Sequence, residues 1–258
     1  MTVMTDAVMK AARGLKRDFG EIENLQVSRK GPGDFVSAAD RKSEQILREL
    51  LAKARPGYGF LMEESGIVEG TDKQHTWHID PLDGTTNFLH GIPHFCIAVG
   101  LEREGQMVAG VIYDPAKDEL FIAERGQGAY LNNRRIRVSA RTDMPDALVA
   151  CGAPFIGRPE HGRWLREAAA VMAGTSGLRR AGAAALDLAY VACGRVDLYW
   201  ERHLNSWDIA AGIALVREAG GYVSSADGGD DPLAAGSVCC GNEGLQRELL
   251  AVLRKAQG

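Results

Sequence analysis

Apolar residues recur at Val8, Ala11/Ala12, Leu15 and Phe19, the three-to-four spacing that predicts an amphipathic helix at the N-terminus. The spacing returns at Ile46, Leu47, Leu50 and Leu51 and predicts a second helix, starting near Asp40 and stopped by Pro56 and Gly57. Between them QVSRKGPGDFVS (26–37) is polar and glycine-containing and reads as a loop. From 58 to 135 short apolar runs (GFLM, TWHI, HFCIAVGLE, MVAGVIYD, ELFIAER, AYLNN) are separated by EGQ, DPAKD and GQG, which predicts a largely antiparallel meander. After about residue 145 the elements alternate: strand LVACG, helix 160–173, a strand near 178, helix 183–193, strand VDLYW, helix 206–219, strands GYVSS and SVCCG, and a last helix from 243. Mixed sheets with helices packed on them follow from that alternation.

Composition narrows the picture. The 258 residues suffice for a sizeable core. They read as one domain, 1–258, whose lobes would be 1–140 and 146–258, joined through SARTDMPD at 139–146. A formal charge of -4, with 45% hydrophobic and 25% charged residues, provides no basic field, so nucleic acid is not an expected partner. The longest apolar runs, such as FCIAVGL (95–101), fall far short of the roughly 20 residues that cross a bilayer, so no membrane association is expected. The N-terminal stretch lacks the unbroken apolar centre of a signal peptide, and the five cysteines are odd in number without CxxC spacing. Both features point to reduced thiols and a cytoplasmic location.

The chemistry-bearing residues are acids at element ends. WHIDPLDGTTNF (77–88) sets Asp80 and Asp83 around Pro81, with Gly84, Thr85 and Thr86 immediately after. Glu63 and Glu64 end the preceding strand, Asp40 precedes the second helix, and Asp208 opens SWDIAAGIALVREAGG. Each alone has a structural reading: Asp40 as an N-cap, Asp208 as a complement to its helix dipole, Glu201 as a solvated strand end. Gathered together, like charges about 4 Å apart repel by roughly 4 kcal/mol at an effective dielectric of about 20. No Lys or Arg lies within EES, DPLDGTTNF or SWDIAAG, so raised pKa values or bound cations are the remedies. All-oxygen donors suit Mg²⁺ or Mn²⁺ rather than zinc, and the six histidines form no HExxH. Pro81 stiffens the bend, and the amides and hydroxyls at 84–86 would grip an anion such as phosphate if a helix begins there.

DFVSAAD (34–40), LMEES (61–65), WHIDPLDGTTNF and NSWDIAAG (205–212), in this order and spacing, resemble the inositol monophosphatase family of Mg²⁺-dependent, Li⁺-sensitive phosphomonoesterases. The resemblance implies an α+β, layered αβαβα sandwich of the sugar-phosphatase type, usually a homodimer. It implies two or three Mg²⁺ ions, with Mn²⁺ as a substitute and Li⁺ as an inhibitor. The first ion would fall on Glu63, Asp80 and the Leu82 carbonyl, the second on Asp80, Asp83 and Asp208, and a weaker third on Glu63 and water. Catalytic roles carry over to Glu63, Thr85 and Asp40, with Asp40 orienting Thr85 and Glu63 helping Thr85 to deprotonate the attacking water. Substrate contacts carry over to Asp83, Gly84, Thr85, Thr86, Asp208, to Gly182 and Ala184 of AGAAALD (181–187), and to Glu201 for ring hydroxyls. Two positions depart from the family pattern: Ser37 stands where Thr is usual, and His203 where an apolar residue or glycine is more frequent.

The activity implied is hydrolysis of inositol 1-phosphate to myo-inositol and phosphate by an activated water, with no covalent intermediate. Fructose 1,6-bisphosphate, histidinol phosphate and 3′-phosphoadenosine 5′-phosphate are the rival substrates, and Asn87-Phe88 after DGTT resembles the inositol branch. A regulatory, partner-binding protein built on the same fold is the alternative of another class.

Overall fold

The computed structural model describes residues 1–19, 27–31 and 34–256. The first two helices are α1 (Thr2–Phe19) and α2 (Ala38–Ala54). The spacing argument holds in α1, where Met4, Ala7, Val8, Ala11, Ala12 and Leu15 are buried. The segment read as a polar loop is instead partly a hairpin, β1 (Val27–Gly31) antiparallel to β2 (Asp34–Ser37); the rest of that reading, and the side chain of Ser37, lie outside the described residues. α2 starts before the expected Asp40, which therefore sits inside the first turn rather than at the N-cap.

The next strands are β3 (Gly59–Met62), β4 (Gly66–Val68), β5 (His75–Asp83), β6 (Cys96–Arg103), β7 (Gln106–Asp114), β8 (Glu119–Glu124), β9 (Gly128–Leu131) and β10 (Arg134–Ile136). They form one sheet in the order β10-β9-β8-β7-β6-β5-β3-β4. The meander runs antiparallel from β5 to β10, but β3 pairs parallel to β5, a long-range pairing that local alternation does not reveal. Short helix α3 (Thr85–Leu89) interrupts the chain between β5 and β6.

A second sheet collects β11 (Leu148–Cys151), β12 (Gly177–Arg179), β13 (Leu198–Arg202), β14 (Tyr222–Ser224) and β15 (Ser237–Gly241) in the order β12-β11-β13-β15-β14, with β11 parallel to both its neighbours. Its helices are α4 (His161–Gly174), α5 (Ala184–Ala192), α6 (Ser206–Glu218), α7 (Pro232–Ala235) and α8 (Glu243–Lys255). The connection at 139–146 is tied to this second sheet: Asn242 Nδ2 donates to the carbonyls of Ser139 and Arg141, and Arg141 pairs with buried Asp197 at 3.1 Å.

The elements stack in five layers, α1/α2, the eight-stranded sheet, α5/α6, the five-stranded sheet and α4/α8, which is the αβαβα sandwich. One core lies under α1 and α2 (Leu47, Leu51, Ile79, Phe88, Phe95, Val111), one between the sheets (Ile112, Phe121, Leu186, Leu188, Ile209, Leu215, Tyr199) and one under α4 and α8 (Val149, Val171, Trp200, Leu249). As a middle-layer helix, α6 is buried without a break from Ile209 to Val216, so it carries no amphipathic stripe. It approaches the first sheet closely because the strands opposite carry glycines. A Cβ on Gly110 would lie 2.3 Å from the Ala211 carbonyl oxygen, and one on Gly100 2.8 Å from Ala210 Cβ.

Candidate active site

The DPLD bend is the end of β5 rather than a turn after a strand. β5 pairs with β6 through Asp80 opposite Ala98 and Asp83 opposite Cys96, three steps against two, so one extra residue bulges at Pro81-Leu82. Residues i and i+3 of a regular strand face opposite sides; the bulge returns Asp83 to the face of Asp80. Pro81, which has no N–H to offer the ladder, suits that place. The bend is pinned from three sides. Ser43 Oγ donates to the Pro81 carbonyl at 2.8 Å, Leu82 N–H donates to Asp80 Oδ1 at 3.0 Å, and Thr85 Oγ1 lies 3.0 Å from the Leu82 carbonyl oxygen and 3.1 Å from Asp40 Oδ1. Asp40 is fully buried. Glu44, also on α2, accepts the Glu64 N–H at 2.8 Å and the Ser65 hydroxyl, so α2 holds the EES turn as well as the bend.

Asp80, Asp83, Glu63 and Asp208 act on one another as charges. Burial pushes the Asp80 carboxyl well above the usual range, and Glu63, Asp83 and Asp208 push it further, against the Leu82 N–H. Burial and then Asp208 do the same to Asp83, opposed by the Ala185 N–H, with Glu201 and Glu63 adding to the rise. The three aspartates are each aimed by a backbone donor: Leu82 N to Asp80, Ala185 N to Asp83 at 2.7 Å, and Asn205 N to Asp208 Oδ2 at 2.7 Å. Asp208 thereby completes a capping box with Asn205 at the start of α6. So turned, no three His, Cys, Asp or Glu side chains among the described residues stand close enough to chelate an ion, although they lie within Coulombic range. Side-chain rotation alone alters chelation, whereas backbone placement sets the gathering of charge. The donor set is all oxygen and suits a hard divalent cation.

Beside the acids opens a cleft of about 440 Å³. All the positions expected to touch substrate line it: Asp83, Gly84, Thr85, Thr86, Gly182, Ala184, Glu201 and Asp208. Gly84 takes φ 88° as α3 begins, a left-handed conformation open to glycine, and α3 has no side-chain cap there. Asn87 Nδ2 donates to the carbonyls of His94 (2.8 Å) and Ala181 (2.9 Å), locking α3 to the segment that carries Gly182 and Ala184.

Glu201 is not the solvated strand end that its sequence position allows. Burial raises its carboxyl, while the Tyr199 hydroxyl, which donates to Oε2, and the charges of Arg180 and Arg158 counter the rise. It fits because Gly152 opposite lacks a side chain; a Cβ there would sit 1.7 Å from Glu201 Cδ. Tyr199, Gly152, Arg158, Arg180 and buried Asp187 went unread in the sequence. Tyr199 lies two residues before Glu201, Arg180 precedes AGAAALD and Asp187 ends it, while Gly152 and Arg158 carry no local signal. His203, the departure from the family pattern, lines the outer wall, where Nε2 meets Glu160 Oε2 at 2.9 Å and its carbonyl accepts from Arg158 at 3.0 Å.

The inositol monophosphatase family model matches residues 1–257. An inositol-1-monophosphatase of Mesorhizobium japonicum is 62% identical over 255 residues, covering 99% of this chain and 96% of that protein. The crystal structure of the extragenic suppressor protein suhB from Bartonella henselae shares the fold with a TM-score of 0.96 at 56% identity, over 99% of this chain and 98% of that one. At greater distance, the Nus factor SuhB of Escherichia coli is 39% identical over 254 residues, covering 98% of this chain and 95% of that protein. Since the family match runs from residue 1 to residue 257, the chain belongs to the inositol monophosphatase family, phosphatases that are generally Mg²⁺-dependent.

Proposed function

We propose that the protein hydrolyses inositol 1-phosphate to myo-inositol and phosphate in a Mg²⁺-dependent reaction. The observation that carries the reading is the gathering of Glu63, Asp80, Asp83 and Asp208, whose like charges push the Asp80 and Asp83 carboxyls up, beside a cleft that ends on a half-buried, hydroxyl-accepting Glu201. Glu63, Asp80 and the Leu82 carbonyl would hold one ion, and Asp80, Asp83 and Asp208 a second, with a weaker third at Glu63. Bound there, divalent ions lower the pKa of water and neutralise charge on phosphate and leaving-group oxygens.

The chain's own groups do the rest. Thr85, placed between Asp40 and the Leu82 carbonyl, acts with Glu63 to orient the attacking water and take its proton. Gly84, Thr85 and Thr86 meet the phosphate oxygens at the start of α3. Water forms the new P–O bond as the P–O bond to inositol breaks, and the leaving oxygen ends as a hydroxyl. Glu201, held by Tyr199, accepts hydrogen bonds from ring hydroxyls and fixes the in-line angle.

With this reading go Mn²⁺ as substitute, Li⁺ as inhibitor, a homodimer and a cytoplasmic location. Phosphate release from inositol 1-phosphate, fructose 1,6-bisphosphate, histidinol phosphate and 3′-phosphoadenosine 5′-phosphate, each with Mg²⁺, Mn²⁺, Li⁺ or chelator, tests it. Inositol 1-phosphate should lead, and full-speed hydrolysis in excess chelator would refute the reading. A partner-binding role is the second reading, motivated by the relative named as a Nus factor; its 39% identity against 62% for the named phosphatase places it behind.

A further inference from the structure

Two metal-facing carboxylates of the reading above sit on different layers: Asp80 on β5 and Asp208 on α6. Two residues before each stands a polar side chain, His78 and Ser206, and these two meet. His78 Nδ1 lies 3.0 Å from Ser206 Oγ, and Nε2 lies 2.8 Å from Glu102 Oε2 on β6. Alternate residues of a strand share a face, so His78 faces the same side as Asp80, toward α6. Its cross-strand partner is Gly100, the glycine that admits α6, and Glu102 is the diagonal neighbour on that face. The ring is 3% exposed.

The chemistry of the contact is directional. A carboxylate only accepts, so Glu102 assigns the proton to Nε2, and in the neutral ring Nδ1 is then the acceptor for the Ser206 O–H. Glu102 thus fixes the tautomer and the tilt of a ring that holds the first residue of α6. Neither Ser206, His78 nor Glu102 lines the substrate cleft, so the order Ser-His-Glu is not that of a nucleophile with its base. What the three residues join is the pair of elements that must keep Asp80 and Asp208 in register.

We propose that Glu102, His78 and Ser206 form a positioning strap that sets the separation of Asp80 from Asp208 and so tunes the affinity of the site for its divalent cation. The proposal rests on the metal-dependent reading. Partners that hydrogen-bond a metal ligand directly are typically worth 10- to 100-fold in metal affinity, and a strap that acts through the backbone two residues away takes the low end of that range.

The test is calorimetric titration of the full chain with Mg²⁺, without substrate, on wild type, Ser206→Ala, Ser206→Thr, Glu102→Ala and Glu102→Gln, with melting in chelator alongside. Ser206→Ala and Glu102→Ala should each weaken Mg²⁺ about 10-fold. Ser206→Thr keeps the hydroxyl and Glu102→Gln keeps an acceptor for Nε2–H, so both should stay within about twofold of wild type. A strap of merely structural value would lower the melting temperature of the alanine variants and leave Mg²⁺ affinity within about twofold, which overturns the proposal; so would equal weakening in the alanine and conservative variants. A wild-type chain that takes up no Mg²⁺ overturns the metal-dependent reading and the strap together, whereas the variant comparison bears on the strap alone.

Discussion

Replacing Asp83 by Asn should have opposite effects on the metal-free and metal-bound protein. Asp83 is pushed up by burial and Asp208, and itself raises Asp80. Two unit charges roughly 6 Å apart at an effective dielectric of about 20 repel by about 3 kcal/mol. Water and counter-ions in the open cleft screen this to about 1–2 kcal/mol. The amide oxygen of Asn can still accept the Ala185 N–H, so little hydrogen bonding is lost. In chelator the variant should therefore melt about 2–8 °C above wild type, given roughly 2–4 °C per kcal/mol for a chain of this size. Mg²⁺ at a hundred times its Kd stabilises wild type by about 2.7 kcal/mol per ion and should stabilise the variant by less, since only the ion at Glu63, Asp80 and the Leu82 carbonyl keeps its ligands. Differential scanning calorimetry at neutral pH, with and without Mg²⁺, reads both signs, and phosphate release reads the loss of turnover. A variant that melts several degrees below wild type in chelator yet keeps the full Mg²⁺ increment would refute the argument, because the acids would then be neither repelling one another nor sharing an ion.

Glu201→Gln should raise KM for inositol 1-phosphate more than it changes turnover of a small aryl phosphate; steady-state kinetics on both substrates checks it, and equal effects would remove the hydroxyl role. Burial and the charge of Lys117 push the His94 imidazole down from its usual 6.5 to about 4. The folded protein therefore binds fewer protons than the unfolded chain between pH 4 and 6.5, so this contribution is complete above 6.5 and is lost as pH falls toward 4. After discounting for partial exposure it is worth about 1–2 kcal/mol, and His94→Phe should flatten the melting-temperature difference between pH 4.5 and 7 by the corresponding roughly 2–8 °C. Gly110→Ala should destabilise by about 1–3 kcal/mol, since its Cβ meets backbone rather than a movable side chain; chemical denaturation reads the loss.

Helix spacing was legible where one face meets solvent, as at Val8, Ala11 and Leu15, and the acid motifs marked the cleft before any fold was drawn. The β3–β5 parallel pairing was not, because register between distant strands leaves no local mark. Pro81 suggested the end of a strand, whereas it marks a bulge inside one. The hairpin of β1 and β2 hides in VSRKG, which lacks apolar alternation. Among site residues, Glu201 was found through its motif, but Tyr199 and Gly152, which hold and house it, were not. Glu102 and Ser206 lie 24 and 128 positions from His78, and only the fold brings them into contact with it.

The glycine-sided seat of α6 has a further consequence. With Ala210 and Ala211 against Gly100 and Gly110 on one side, and Gly212 against Leu188 on the other, the helix has no slack in which to drift when neighbouring residues change. Variation that preserves hydrolysis is thereby expected on the other wall of the cleft, at Ala153, Pro154, Phe155, Glu160, His203 and Leu204. A scaffold of this kind can exchange one alcohol for another without disturbing the reaction centre, and that wall is where an engineer should begin.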